Sequence, residues 1–249
     1  MLTDTARFAL DVYGGVRMWE LAASIEAEVS AYGLAFVLKG RPPLAGARIS
    51  MDVHRPYSRI TPIGRDPGIS GVLCGSETRL EASDGTVVSS RPSARGYFPG
   101  GRRLFRWDDL DMAYFANYAF WNYFTLPALM INTAVTWAEI RPGVLEARFP
   151  PEIPTHSEIQ EFHFDPDTGL LRQHNYTAEI ISRLATAAHV VDSHSLSNGV
   201  MYPSQRRVTP RARGGRARRG PLLIGIEVHD FRVLFASERR VACVDSPVG

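Results

Sequence analysis

His156-Ser-Glu-Ile-Gln-Glu-Phe-His-Phe-Asp165, the turn Asp165-Pro-Asp-Thr-Gly169 and the run Leu170-Leu-Arg-Gln-His-Asn-Tyr-Thr-Ala-Glu-Ile180 decide how this 249-residue chain is read. Pro166 pre-sets φ and Gly169 admits a positive φ, which is turn chemistry between two strand-like runs, so a β-hairpin follows. On an extended chain side chains two apart share a face. His174 and Tyr176 therefore point together, and so do Glu161 and His163. Whether both pairs line one face depends on register, because a one-residue slip sets His174 opposite Gln160 and Phe162 instead of Glu161.

Outward from the hairpin, the chain divides into stretches of different period. Residues 1–28 carry spaced apolar side chains (Phe8, Leu10, Val12, then Met18, Trp19, Leu21, Ile25) around the break at Gly14-Gly15, and predict N-terminal helices. Residues 29–106 change to short β-type runs at 29–38, 47–54, 58–63, 71–82 and 87–90, separated by Gly, Pro and Asp, an antiparallel meander in outline. Polar Arg48, Ser50, Asp52 and His54 alternate with Ile49, Met51 and Val53, as expected of a sheet with one wet face. Residues 107–131 predict one aromatic helix over the opening, capped near Asp108 and Asp109 and ended or kinked by Pro127. Tyr114, Tyr118, Trp121 and Thr125 form one stripe of it, and its apolar character nearly all round calls for cover on more than one side. A plain core helix is the alternative. Residues 132–235 return to antiparallel strands, with an Arg-rich loop at 209–219, and residues 236–249 form a tail expected to fray. The fold class is thus mainly β (α+β): a strongly curved antiparallel sheet, or incomplete β-barrel, with helices covering the open side, all in one domain over 1–249.

Asp11-Val-Tyr-Gly-Gly15 with Trp19, the long meander, the helical insertion across it and the hairpin through Asp165-x-x-Thr-Gly-Leu-Leu-Arg172 together resemble the outer-membrane lipoprotein carrier (LolA/LppX-like) half-barrel superfamily. The resemblance covers most of the chain and rests on element order and one turn pattern. It implies an incomplete, strongly curved barrel whose apolar concavity holds acyl chains. Members that carry lipoproteins work outside the inner membrane, whereas the N-terminus here shows no basic region followed by an apolar one, so a cytoplasmic location is expected.

Composition narrows the partners. Charged residues at 22% and hydrophobic ones at 45% suit a soluble domain, and no apolar run approaches the ~20 residues of a membrane span. A net charge of +2 points to no class of partner. Cys74 and Cys243 are too few and too separated for a disulfide framework and fit a reducing compartment, with Cys74 read as a buried, inert thiol. No metal is expected: His163, His174, His189 and His194 with Glu161 and Asp192 show no ligand spacing. No cofactor is expected either, since neither a P-loop nor a dinucleotide fingerprint occurs. The arginines at 206–219 could meet phosphates, but without interleaved aromatics a solvated loop is the better reading, and nucleic acid is not the expected partner.

What remains is acid–base chemistry in an apolar pocket. His titrates near neutrality and a Tyr two residues on can donate to a carbonyl oxygen. His174 and Tyr176, backed by Glu161 or His163, are the candidate catalytic groups, and Tyr114, Tyr118, Trp121 and Trp137 the candidate ligand-binding ones. The expected function is binding of a polyketide- or lipid-like small molecule, with cofactor-independent cyclisation or isomerisation as the possible reaction. A non-catalytic lipid or acyl-chain carrier and nucleic-acid binding through the Arg loop are the alternatives.

Overall fold

The computed structural model describes residues 2–235. Thr3 accepts a 3.2 Å hydrogen bond from the Ala6 backbone N–H and opens α1 (Asp4–Val12). α2 (Val16–Leu21) follows the break at Gly14 and Gly15 and is shorter than the sequence suggested. From Ala22 a period of two takes over: Ile25, Val29 and Ala31 are buried while Glu26, Glu28 and Ser30 face outward, so β1 (Ala22–Tyr32) begins inside the stretch read as helix. The strand expected over 29–38 likewise ends early. Gly33 adopts φ 129°, and a Cβ there would stand 2.6 Å from the Leu223 carbonyl oxygen, so the chain turns off the sheet into α3 (Leu34–Lys39).

The first wing of the sheet is a meander of β2 (Leu44–Asp52), β3 (Tyr57–Thr61), β4 (Ser70–Cys74), β5 (Glu77–Glu81) and β6 (Val87–Arg91). Residues 71–82, read as one strand, are two, joined by a tight turn with Gly75 at φ 59°. Ile49, Met51 and Val53 are buried as expected, but Asp52 is not a wet-face group. It is buried at the end of β2, where it accepts from the backbone N–H groups of His54 and Arg55 and from the Arg55 guanidinium, turning the chain. Cys74 is half-buried and disulfide-bonded, which corrects its reading as an inert thiol and removes the cysteine argument for a reducing compartment. Cys243 lies outside the described residues.

Two helices, not one, fill the aromatic stretch. Asp108 and Asp111 form a reciprocal cap, each side chain accepting from the other's backbone N–H (2.8 and 3.0 Å), and start α4 (Asp109–Phe124). Thr125 ends it by donating from Oγ1 to the Trp121 carbonyl at 2.6 Å, and α5 (Leu126–Ile131) restarts with Pro127 in its first turn, where proline is tolerated. All of α4 except Asp109 and Phe115 is buried, because it has protein on both sides. One side lies on β4: Gly71 admits it so closely that a Cβ there would meet the Ala113 Cβ at 2.7 Å, and Asn117 donates to the Gly71 carbonyl oxygen. No described helix is long and apolar enough to cross a membrane.

The second wing contains β7 (Thr136–Arg141), β8 (Val144–Arg148), β9 (Ile159–Phe164), β10 (Leu171–Thr177), β11 (Thr186–Ser197), β12 (Val200–Pro210) and β13 (Ile224–Phe235). Among the described residues the thirteen strands form one antiparallel sheet in the order β6-β5-β4-β3-β2-β1-β13-β12-β11-β10-β9-β8-β7. The order does not close into a barrel. α4 touches both wings: Trp121 donates to the Asp52 carbonyl oxygen at 2.8 Å on one side, and Phe124 packs on Phe231 of β13 on the other. The sheet therefore curls around the helix. The tail at 236–249 lies outside the described residues.

Candidate functional site

Asp165 builds the central turn. Its Oδ1 accepts from the backbone N–H of Thr168 and from the Thr168 hydroxyl, both at 2.9 Å, and Gly169 takes φ 69°. Beyond the turn, Leu171 pairs with Phe164 but Gln173 with His163, so a one-residue bulge falls at Arg172. That bulge sets the register. His174 lies opposite Phe162, and Asn175 opposite Glu161. His174 and Tyr176 therefore point inward with Gln160 and Phe162, under α4. The expected backing by Glu161 or His163 is corrected: both occupy the outer face, where Asn175 bonds His163 Nε2 at 3.0 Å and the carbonyl oxygen of Gly215 at 3.0 Å. Gln173 donates to the same carbonyl at 2.6 Å, and Arg211 bridges to Ala217. The Arg-rich loop is thus folded onto the outer face and not simply solvated.

Inside, three imidazoles and three tyrosines meet. His156, from the irregular segment after Pro150, Pro151 and Pro154, shares hydrogen bonds with the hydroxyls of Tyr118 (Nδ1, 3.1 Å) and Tyr123 (Nε2, 2.8 Å) of α4. Its ring lies parallel to that of Tyr176, centroids 3.9 Å apart. The Tyr176 hydroxyl is 3.3 Å from that of Tyr123. His174 Nε2 shares a 2.6 Å hydrogen bond with Gln160 Oε1 and stacks on Phe162. His189 of β11 stands edge-on to Tyr123 with centroids 4.5 Å apart, and neither of its ring nitrogens has a partner. Arg206 of β12 closes the group, its guanidinium 5.2 Å above the Tyr123 ring.

Burial sets the charge of this cluster. It lowers His156 to about 3 and puts His174 and His189 well below the ordinary imidazole value, so all three are neutral at physiological pH. Burial also pushes Tyr176 up to about 12 and Tyr118 and Tyr123 well above their usual range, so the hydroxyls stay protonated. Arg206 is lowered to about 10 by the same cause and remains a cation. The result is a dry network of neutral donors and acceptors holding one positive charge. Chemically it can take a proton at imidazole, donate hydrogen bonds from tyrosine and stabilise an anionic oxygen. Among the described residues no group of three or more His, Cys, Asp or Glu is arranged to hold a metal ion.

Tyr176 also faces a cleft. A hollow of about 590 Å³ opens between α3, the 178–187 segment and the ends of β12 and β13, floored by Tyr176, Val208 and Leu223 and rimmed by Leu38, Phe105 and Leu184. Phe105 is 76% and Leu184 89% exposed, so the rim is apolar and open to solvent. Arg211 and Arg218 flank it. Phe115, Ile181 and Ile224 also line a narrow apolar channel of about 50 Å³ that runs under α4 past Phe120 to Tyr123. This channel has room for a few waters but not for a chain-like guest.

The four aromatics singled out in the sequence do other work. Tyr114 stacks with Phe98, Tyr118 bonds His156, Trp121 bonds β2, and Trp137 donates to the Leu129 carbonyl oxygen and packs on Phe162. None is among the side chains lining the cleft or channel, where Phe115, Phe120 and Tyr123 stand instead. His156, Tyr123 and Arg206 were missed by sequence reasoning. Arg206 left one signal: Tyr202, Ser204, Arg206 and Val208 alternate onto one face of β12.

No protein-family model matches the sequence, and no curated protein matches it. Solved structures do. A LolA superfamily protein from Nitrosomonas europaea is 8% identical over 94% of this chain and 94% of its own, with a TM-score of 0.51. A putative outer membrane lipoprotein-sorting protein domain from Vibrio parahaemolyticus (10% identity, 92% and 91% covered, TM-score 0.47) and a DUF1329 family protein from Desulfovibrio piger (15% identity, 93% and 94% covered, TM-score 0.46) are more distant in shape. The first of these likenesses establishes a LolA-like fold, an open curved sheet with helices in its mouth.

Proposed function

We propose that the protein binds a hydrophobic, chain-like small molecule, polyketide- or lipid-like, through the cleft at Tyr176. The observation that carries this reading is the apolar cleft of about 590 Å³, a volume within the usual range for small-molecule sites, with exposed Leu38, Phe105 and Leu184 at its entrance. The likeness in fold to a LolA superfamily protein agrees with an apolar guest. Native mass spectrometry of the protein incubated with palmitic acid and methyl palmitate is the test. Adducts of one guest per chain are expected, weakened about tenfold or more by Ala185→Trp, which fills the cleft from a half-buried position. Failure of both guests to bind would reject the reading.

A second reading, cofactor-independent cyclisation or isomerisation, is favoured by one observation: Tyr176 belongs both to the cleft floor and to the imidazole network. A folded guest would bring a carbonyl to a tyrosine hydroxyl backed by neutral imidazoles, and positioning alone is worth about 7–11 kcal/mol in the best intramolecular cases. Incubation with a guest that carries a β-keto chain, which can close a ring by carbon–carbon addition without an oxidant, followed by extraction, separates the two readings. A guest returned unchanged supports carriage, and a rearranged one that Tyr176→Phe no longer produces supports catalysis.

A further inference from the structure

Arg206 is 4% exposed on the inner face of β12. Its Nη2 donates one long hydrogen bond, 3.3 Å, to the carbonyl oxygen of Tyr123, and its Nε has no partner. The titratable groups that face it are tyrosines and neutral imidazoles: Tyr123 from α4, Tyr13 beyond α1, His174 and Tyr176 from β10, and His189 and His194 from β11. Among the described residues no carboxylate forms an ion pair with it. A charge withdrawn from water without a counter-ion is costly, and interiors pair such charges almost without exception.

His189 is the second unsatisfied group, 0% exposed with both ring nitrogens unpartnered. Val191 pairs with Arg206 and His189 with Val208, so His189 and Arg206 are diagonal neighbours on one face of the sheet. The Tyr123 ring covers both, at 4.5 Å from the imidazole and 5.2 Å from the guanidinium. Tyr123 in turn borders two small apolar voids, the channel of about 50 Å³ and one of about 20 Å³ towards Phe231, so the packing around it is looser than elsewhere under α4 although neither void could take its ring. The channel leads back to the cleft through Phe115 and Ile181.

We propose that Arg206 and His189 are the receptor for the carboxylate head of an amphipathic acid, reached when α4 shifts and lifts the Tyr123 ring off them. The proposal rests on the reading of the cleft as an entrance for an apolar guest and adds the polar end that such a guest carries. The guanidinium supplies the counter-charge and paired N–H donors that suit a carboxylate, and His189 a further ring N–H. The tail then occupies the widened channel and the cleft.

Matched probes test it by isothermal titration: palmitic acid, ionised at neutral pH, and methyl palmitate, which keeps the chain and loses the charge. The acid is expected to bind about tenfold or more tightly than the ester. Arg206→Met is expected to erase that preference by weakening the acid and to raise the thermal midpoint of the unliganded protein by about 2–4 °C as an unpaired charge is removed. Arg206→Gln serves as the second variant, with the same loss of preference. Equal binding of acid and ester to the unaltered protein, or a preference that survives in both variants, overturns the head-group proposal alone. Binding of neither probe overturns the apolar-guest reading and this proposal with it.

Discussion

His156, His174 and His189 are held neutral inside the sheet, and their protonation ties stability to pH. In the unfolded chain each takes up a proton near the ordinary imidazole value, about 6.5, whereas folded His156 does so only near 3 and the other two also well below 6.5. Between those limits the unfolded state binds more protons, so stability falls as pH drops below about 6.5 and is unaffected by these groups above it. The slope is about 1.4 kcal/mol per pH unit for each histidine, or about 4 for the three. Urea midpoints are therefore expected to be flat from about pH 8 to 7 and to fall steeply from about 6 to 5; a flat profile through pH 5 would show that the imidazoles reach water. The shared face of His174 and Tyr176 was legible, because alternation on a strand needs only a spacing of two. Their neighbours were not, because the bulge at Arg172 leaves no mark in residue type. His156 escaped for a different reason: it follows three prolines in a segment with no period from which a direction could be read. Arg206 was hidden in a run of arginines whose members face opposite ways.

At the scale of elements, α4 owes its position to two small side chains. Gly71 and Ala113 let helix and strand approach until a single added methyl would stand 2.7 Å from its counterpart, and Asn117 locks the contact through Gly71 and Ser58. Gly71→Ala is expected to lose about 1–3 kcal/mol in urea denaturation by overpacking, and an unchanged midpoint would mean that the helix yields. The cap at Asp108 and the interruption near Pro127 were readable, since both are written in single residues with one physical meaning. The early starts of β1 and α3 were not. Ala22–Leu34 satisfies a helical spacing as well as an alternating one, and pairing with β13 decided between them. Gly33 marks the switch through a close approach to Leu223, a residue about 190 positions away in the chain.

Across the whole molecule, the mainly β, half-barrel outline was readable from the succession of short runs and turns, but the strand order was not. The centre of the sheet is the pairing of β1 with β13, Ile25 opposite Val233, so the two wings meet through strands far apart in sequence. A chain ended after residue 223 leaves β1 and β12 as bare edges and exposes the inner face beside them. It is expected to elute from size exclusion as aggregate rather than as a monomer, and a monomeric product would show that the wings fold independently of that seam. The outermost strands, β6 and β7, are joined by the segment that carries α4 and α5. The same peptide that stoppers the bowl thus works as a drawstring between its two margins. Entry of a guest beneath α4 must lengthen or reorient that cord, and the girth of the sheet and the position of its stopper cannot be adjusted separately.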